Sequence, residues 1–134
     1  MTPVQQTDTS KERGDCQRAS VATLFDFEID QVPNFRLFSD EQWWSVFICF
    51  IWGIGFEVID TVDDNTNFEQ TIDGYLLASV NSDYGDGYSH AVVINTEGEV
   101  VHDPLPTKPN LGMNVKDNDR LSCWYLIRRR EISA

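Results

Sequence analysis

Apolar residues recur at helical spacing after a polar lead-in. Val21, Leu24 and Phe25 fall on one side of a helix that begins at Cys16. Asp15 is a residue type that favours the N-cap position, because its carboxylate can accept hydrogen bonds from N–H groups of the first turn. The pattern therefore predicts a first helix whose first residue is a cysteine.

The most apolar stretch of the chain covers residues 43–56 and reads WWSVFICFIWGIGF. A helix that crosses a bilayer needs about 20 residues, so this shorter run is typical of a buried core helix. Ser39 and Gln42 stand three residues apart just ahead of it, as the two members of a capping box do. We expect a central buried helix over residues 40–52, ended by the glycines that follow.

Beyond the second helix, β-branched and aromatic residues form short runs that turn-forming residues separate. A turn at residues 96–98 (TEG) joins two of these runs into an antiparallel pair. Helices first and an antiparallel sheet second indicate the α+β class, and we expect a single domain over residues 1–134 with a polar lead-in at 1–13. The predicted strands cover residues 56–59, 75–80, 89–95, 99–102 and 123–128.

The chain is strongly acidic, with 22 Asp and Glu residues against 10 Lys and Arg residues and a net charge of -12. Phosphate backbones and anionic lipid surfaces repel such a charge, so we expect no nucleic-acid partner and no membrane partner. The N-terminal residues are polar and lack the apolar segment of a signal peptide. The expected location is therefore the cytoplasm.

Three cysteines are present, an odd number that rules out a complete disulfide framework. None lies in a Cys-x-x-Cys pair and the chain has two histidines, so we expect no metal site and no cofactor. Cys49 in the apolar second helix and Cys123 at a strand start are expected to be buried, ordinary thiols. Cys16 differs, because a helix N-terminus favours the thiolate that acts as a nucleophile.

A nucleophilic cysteine needs a base, and the chain offers His90 and His102. His90 opens a predicted strand, where a side chain can face a cleft while the strand anchors it. The base in turn needs an acceptor that fixes its tautomer. The turn at 96–98 brings Asp103 back toward His90, and Asn95 at the far end of the His90 strand is the second choice.

Each of these residues also has a purely structural interpretation. Proteins without catalytic function also carry a cysteine at a helix start, a histidine at a strand start or an aspartate before a proline, as Cys16, His90 and Asp103 are placed here. Arg18, in the first turn of the first helix, either pairs with a nearby carboxylate or binds an anionic group of a substrate. The presence of Cys16, His90 and Asp103 together in compatible places is what favours catalysis.

Two parts of the sequence together resemble the papain-like cysteine peptidases. Residues 14–22 (GDCQRASVA) resemble the nucleophile helix of that family, in which the cysteine heads a buried helix. Residues 89–93 (SHAVV) and 100–104 (VVHDP) are similar to the histidine strand and Asp-Pro of the C39-type, bacteriocin-processing peptidases. The chain looks closer still to small phage and bacterial proteins with a Gly-Asp-Cys-x-Arg-Ala helix and a His-Asp-Pro end. The resemblance spans roughly residues 5–112.

The resemblance implies a papain-like fold, in which Cys16 and His90 form a thiolate–imidazolium pair and Asp103 orients the imidazole. It also implies a glutamine upstream of the cysteine that helps to stabilise the oxyanion. The position six residues before the cysteine is Ser10, so this sequence departs from the usual spacing. Of the two neighbouring glutamines further upstream, we favour Gln6.

The expected function is hydrolysis of a peptide, isopeptide or other amide bond through a thioester intermediate, with a peptide or protein as the substrate. A transglutaminase or an amidase would use the same three residues, since only the acyl donor or acceptor changes. A different class of function is a catalytically silent papain-like binding protein, such as a phage-type inhibitor of a host factor. A structural component of a particle is a third class, which the strong core and the lack of repeats disfavour.

Overall fold

The computed structural model describes residues 3–7, 15–39, 41–59, 74–81, 89–105, 111–114 and 121–129. Within these ranges the chain forms two α-helices, two short 3-10 helices and five β-strands. The helices are α1 (Cys16–Phe25) and α2 (Trp43–Gly53), with the 3-10 helices Ile29–Gln31 and Phe35–Leu37 between them. The strands are β1 (Phe56–Ile59), β2 (Tyr75–Asn81), β3 (Ser89–Asn95), β4 (Val100–His102) and β5 (Leu121–Arg129).

Helix α1 begins at the predicted residue, Cys16. Val21 and Leu24 lie in the hydrophobic core, as the helical spacing predicts. The helix ends where Asp26 adopts a left-handed backbone conformation (φ 57°), which reverses the chain. Asp15 occupies the N-cap position, but its side chain makes no capping hydrogen bond, so the predicted capping role is wrong.

Helix α2 begins later than the sequence pattern predicts. The carbonyl oxygen of Ser39 accepts hydrogen bonds from the N–H groups of Gln42 (2.9 Å) and Trp43 (3.0 Å), so a turn precedes the helix. Gln42 takes the N-cap position and makes no side-chain capping bond, which makes the capping-box interpretation wrong. The predicted first residue, Asp40, lies outside the described ranges. Gly55 follows the helix with a φ of 95°, a conformation that glycine adopts readily.

Helix α2 is not the buried central helix that its apolar sequence predicts. Phe47 and Ile51 are fully buried, whereas Ile48 and Trp52 are 37% and 52% exposed. Cys49 is also exposed, so the prediction of a buried thiol there is wrong. The helix is apolar on every side, but only one side faces β1 and the second 3-10 helix, Phe35–Leu37. No helix in the described ranges has both the length and the apolar character that crossing a membrane requires.

The five strands form one antiparallel sheet in the order β1-β5-β2-β3-β4. Strands β1 and β3 have their predicted bounds, while β2 and β5 are longer than predicted. Strand β4 is one residue shorter than predicted, and Glu99 forms an isolated bridge with Asn114. Helices that precede an antiparallel sheet confirm the α+β class.

The hydrophobic core lies where both helices and the second 3-10 helix pack on the sheet. The rings of Phe35 and Phe47 meet edge to face with centroids 5.3 Å apart, a favourable arrangement for aromatic pairs. This contact joins α2 to the segment between the helices. The buried members of the core are Val21, Ala22, Leu24, Val32, Phe35, Phe47, Ile51, Leu77, Val93 and Ile127.

Strands β2 and β3, which are neighbours inside the sheet, are buried on both faces. Consecutive side chains of a strand point to opposite faces, so the full burial of both Leu76 and Leu77 means that both faces of β2 are covered. The same holds for β3 over residues 90–94. The strand that carries His90 is therefore held rigidly within the domain.

Replacing Phe47 with alanine should lower the free energy of unfolding by about 3–5 kcal/mol, because the change leaves a cavity in the core. Leu111→Ala shortens a side chain that is 50% exposed and should change the same free energy by about 0.5 kcal/mol or less. Urea unfolding followed by tryptophan fluorescence measures both values. Equal losses in the two variants would contradict the core described above.

Candidate active site

Cys16 is the first residue of α1 and is partly buried. The N–H groups of the first turn of a helix have no intrahelical acceptors, and they make the helix N-terminus favourable for an anion. The Asp15 carboxylate, which the sequence suggested as the cap of these groups, points elsewhere. The thiolate form of Cys16 is therefore the anion that this helix terminus can stabilise.

A hydrogen-bond network holds the buried Asp15 carboxylate away from the helix terminus. The carboxylate accepts hydrogen bonds from the Thr7 N–H (3.0 Å) and from the Thr7 hydroxyl (2.5 Å). The Arg18 guanidinium lies 3.9 Å from the same carboxylate, and its Nε donates to the carbonyl oxygen of Val32 (2.7 Å). Arg18 thus pairs with a carboxylate, which is the structural one of the two alternatives that its sequence position allows.

The first turns of α1 dock on the backbone of Ala91 in β3. The Ala91 N–H donates to the Sγ of Cys16 (3.4 Å), and the Ala91 carbonyl accepts from the hydroxyl of Ser20 (3.3 Å). Cys16 and Ser20 are four residues apart, so they lie on the same side of the helix. These two contacts fix the thiol beside the residue that follows His90.

The backbone of Ala91 is available to α1 because β4 ends before reaching it. Val93 pairs with His102, the last residue of β4. Continuing the same register would place Ala91 opposite Pro104, beyond the end of the strand, and proline has no N–H to donate. The helix takes the position that the next residues of a longer strand would have taken.

Asp103 contacts the His90 ring directly. Its Oδ1 lies 2.7 Å from His90 Nε2 and also accepts the N–H of Leu105 (3.0 Å). The Asp103 side chain is fully buried and the His90 side chain is nearly so. Because Nε2 faces the carboxylate, Nδ1 is the ring nitrogen left for the Cys16 thiol, which also acts on the pKa of the ring. The predicted approach of Asp103 to His90 is confirmed.

A β-bulge in β4 sets the register that brings Asp103 to the ring. Ile94 pairs with Val100, but the preceding residue of β3, Val93, pairs with His102. Val101 is therefore one extra residue in β4, which shifts every later residue of the chain by one position. The sequence pattern gave no sign of this bulge.

The extra residue decides whether the side chain of Asp103 lies on the same face of the hairpin as the side chain of His90. Without it, the register would place Asp103 opposite Ala91, and directly opposed residues point to the same face. His90 precedes Ala91 and points to the other face. With the bulge, Asp103 falls opposite Val92, whose side chain shares the face of His90.

The contacts of His90 favour its protonated form, and its pKa is raised from 6.5 to about 9. Burial is the largest effect and lowers the pKa, because it disfavours the charged ring. Hydrogen bonds to Asp103 and Cys16, with the negative charges of those two groups, raise the pKa and together outweigh burial. A cysteine nucleophile uses its thiolate, and an imidazolium beside a cysteine at a helix N-terminus is the counter-ion that such a thiolate needs.

Residues 3–7 lie between α1 and the end of β4. The Val4 N–H donates to the Thr23 hydroxyl (2.8 Å), and Nε2 of His102 donates to the Val4 carbonyl oxygen (2.7 Å). The polar residues of this segment predict only a lead-in to the first helix. Five residues are too few for a period to be recognised, so the packing of this segment had no clear signal in the sequence.

Gln6 lies beside the Asp103 end of the site. Its N–H donates to the carbonyl oxygen of Pro104, the residue after Asp103, at 2.8 Å. The Gln6 side chain is turned inward, with its Oε1 buried, whereas Gln5 is exposed. This placement favours Gln6 over Gln5, and its role at an oxyanion stays a prediction. Ser10 lies outside the described ranges.

The other candidate residues lie outside the Cys16–His90–Asp103 contacts. Nε2 of His102 binds the N-terminal segment, so this ring is not the base. Asn95 Oδ1 accepts the N–H groups of Glu97 and Glu99, both at 3.0 Å, and stabilises the turn. Cys123 lies in β5, and its side chain is outside the described part of the structure. Within the described ranges, no three side chains are grouped as metal ligands would be.

Comparison with known proteins identifies no family for this chain: no family model, no curated protein and no solved structure matches it. The interpretation of the site therefore depends on the residues and contacts described above.

The contacts of His90 predict a pH dependence of stability. Its pKa is higher in the folded chain (about 9) than the ordinary value of 6.5, so its contribution is complete below pH 6.5 and is lost as the pH rises to about 9. In the parent, Cys16 exchanges a proton with His90 and would mask this loss, so the test uses a Cys16→Ser, Cys49→Ser background that removes both described thiols. There the ion pair of His90 with Asp103 remains, and the free energy of unfolding should fall as the pH rises and should fall less when His90→Asn is added. Urea unfolding at a series of pH values measures both curves. Identical slopes would show that His90 does not hold the proton.

Proposed function

We propose that this chain is a cysteine hydrolase in which Cys16 is the nucleophile, His90 is the general base and acid, and Asp103 orients the imidazole. The observation that supports this most directly is the meeting of thiol, ring and carboxylate at one place. The ring lies 2.7 Å from Asp103, and Sγ of Cys16 accepts the N–H of Ala91, the residue that follows His90. Structural roles alone do not require these three side chains to meet in that order.

The proposed reaction begins with attack of the Cys16 thiolate on the carbonyl carbon of an amide. The His90 imidazolium gives its proton from Nδ1 to the leaving nitrogen, the C–N bond breaks and an amine departs. A thioester then joins the acyl group to Sγ. Neutral His90 takes a proton from water, the resulting hydroxide attacks the thioester carbonyl, and the C–S bond breaks. A carboxylic acid leaves, and the Cys16 thiolate and the His90 imidazolium are restored.

The negative charge that develops on the carbonyl oxygen needs hydrogen-bond donors. The backbone N–H of Cys16 at the start of α1 is the first donor that we propose. Gln6 is the second, because its backbone is bonded to Pro104 and its side chain is turned inward. Losing one such donor typically lowers the rate by about 100- to 1000-fold.

The papain-like form of the α+β fold is part of this proposal. Its support is the order of the parts: a cysteine that opens a helix, a histidine at the start of an antiparallel strand, and an aspartate just after the next strand. We expect a peptide or protein substrate, because Cys16 is partly exposed at its helix terminus. A reducing compartment such as the cytoplasm suits a chemistry that needs a free thiol.

Alkylation by iodoacetamide tests the nucleophile, with Cys49 as an exposed internal reference in the same molecule. At pH ~6 an ordinary thiol is almost entirely protonated, so the Cys16 thiolate should make Cys16 react at least about tenfold faster than it does in the urea-unfolded chain. His90→Ala should remove most of this advantage, because the thiolate loses its counter-ion. Mass spectrometry of the peptides that contain each cysteine measures both rates.

Cys49 should react at the same rate in the parent and in His90→Ala, which controls for general unfolding. If Cys16 reacts as an ordinary thiol in the folded parent, and His90→Ala changes nothing, the catalytic proposal is wrong. A catalytically silent binding protein would then be the better interpretation.

A p-nitrophenyl ester tests the thioester step and the acyl acceptor. The parent should release p-nitrophenolate in a burst and carry the acyl group on Cys16, while Cys16→Ser should give no burst. Asp103→Asn should keep the acylation but slow it, because the ring loses its orienting charge. Turnover in water alone supports a hydrolase, and turnover that requires an added primary amine would instead indicate a transglutaminase.

A further inference from the structure

The structure leaves a stripe of α2 exposed to solvent. The stripe consists of Ser45, Ile48, Cys49 and Trp52, whose spacing of three, one and three residues is that of a single helix face. The opposite face of α2 carries the buried Phe47. Among the described residues, four of the five exposed large apolar side chains lie between residues 37 and 52.

The stripe has no charged residue, and neither does any other position of α2. A charged partner would therefore form no ion pair with this face. The chain as a whole has a net charge of -12, so two copies repel each other across most surfaces. An uncharged apolar face is the surface on which two copies can meet with the least repulsion.

The stripe is also complementary to itself in size. Its residues alternate small and large, and Ser45 and Trp52 are equally far from the midpoint between Ile48 and Cys49. If two copies of α2 cross in antiparallel fashion about that midpoint, each Trp52 faces the Ser45 of the second copy. Each Ile48 then faces a Cys49, so every large side chain meets a small one.

A two-fold axis gives this arrangement directly, because an isologous interface uses the same patch on both subunits. Antiparallel helices also place the positive end of one helix dipole beside the negative end of the other. We propose that α2 is the interface of a homodimer, with Cys49 of each copy close to the two-fold axis. This inference is independent of the proposed hydrolase activity.

Sedimentation equilibrium tests the interface. At about 100 µM the parent should have the mass of two chains, while Ile48→Glu and Trp52→Glu should each raise the dissociation constant at least about tenfold. Both positions are exposed, so the folded domain should persist, and unchanged urea unfolding of the monomeric variants checks this. Leu111→Glu introduces the same charge at an exposed position outside α2 and should leave the mass unchanged.

Cross-linking tests the position of the axis. In a Cys16→Ser background, which removes the other described thiol, a short bis-maleimide should join two chains through Cys49 and should fail to join two chains that also carry Cys49→Ser. A parent that stays monomeric would overturn the proposal, even if Trp52 fluorescence showed that the stripe binds lipid vesicles. A dimer that resists both glutamate variants and does not cross-link through Cys49 would overturn it equally.

Discussion

The docking of α1 on the backbone of Ala91 is the contact on which the rest of the site depends. Strand β4 stops after two paired positions, and the amide and carbonyl that it leaves are bound by Cys16 and Ser20. A backbone group within a sheet must find a hydrogen-bond partner. Because β4 ends early, α1 can bind the backbone groups of β3 that β4 does not reach. Because α1 binds the backbone of Ala91, the thiol of Cys16 lies beside the residue that follows His90.

Two aspartates flank Cys16 and His90, and each of them is held differently. Asp103 faces the ring and is held by the Leu105 N–H. Asp15 stands next to Cys16 but is held by Thr7. A carboxylate that capped α1 would compete with the thiolate for the same positive terminus, so the N-terminal segment removes an unfavourable charge from the site. The arrangement separates the carboxylate that contacts His90 from the carboxylate that lies next to Cys16.

Local signals in the sequence were sufficient for the start of α1, the extent of β3 and the proximity of Asp103 to His90. Each depends on residues close together in the chain or joined by one turn. The exposure of α2 was not predictable, because a helix that is apolar on every side carries no record of which side meets the sheet. The packing of residues 3–7 was missed for a related reason, since it depends on partners such as His102 that are remote in sequence.

The bulge at Val101 means that the separation of His90 and Asp103 along the chain matters as much as their identity. Thirteen positions separate them, an odd number, and a hairpin without the bulge brings only evenly spaced residues onto the face of the histidine. Loss of a single codon in β4 would therefore move Asp103 away from the ring while leaving the cysteine, the histidine and the aspartate in the gene. A descendant that keeps cysteine, histidine and aspartate keeps the contact between the last two only if the spacing between them stays odd.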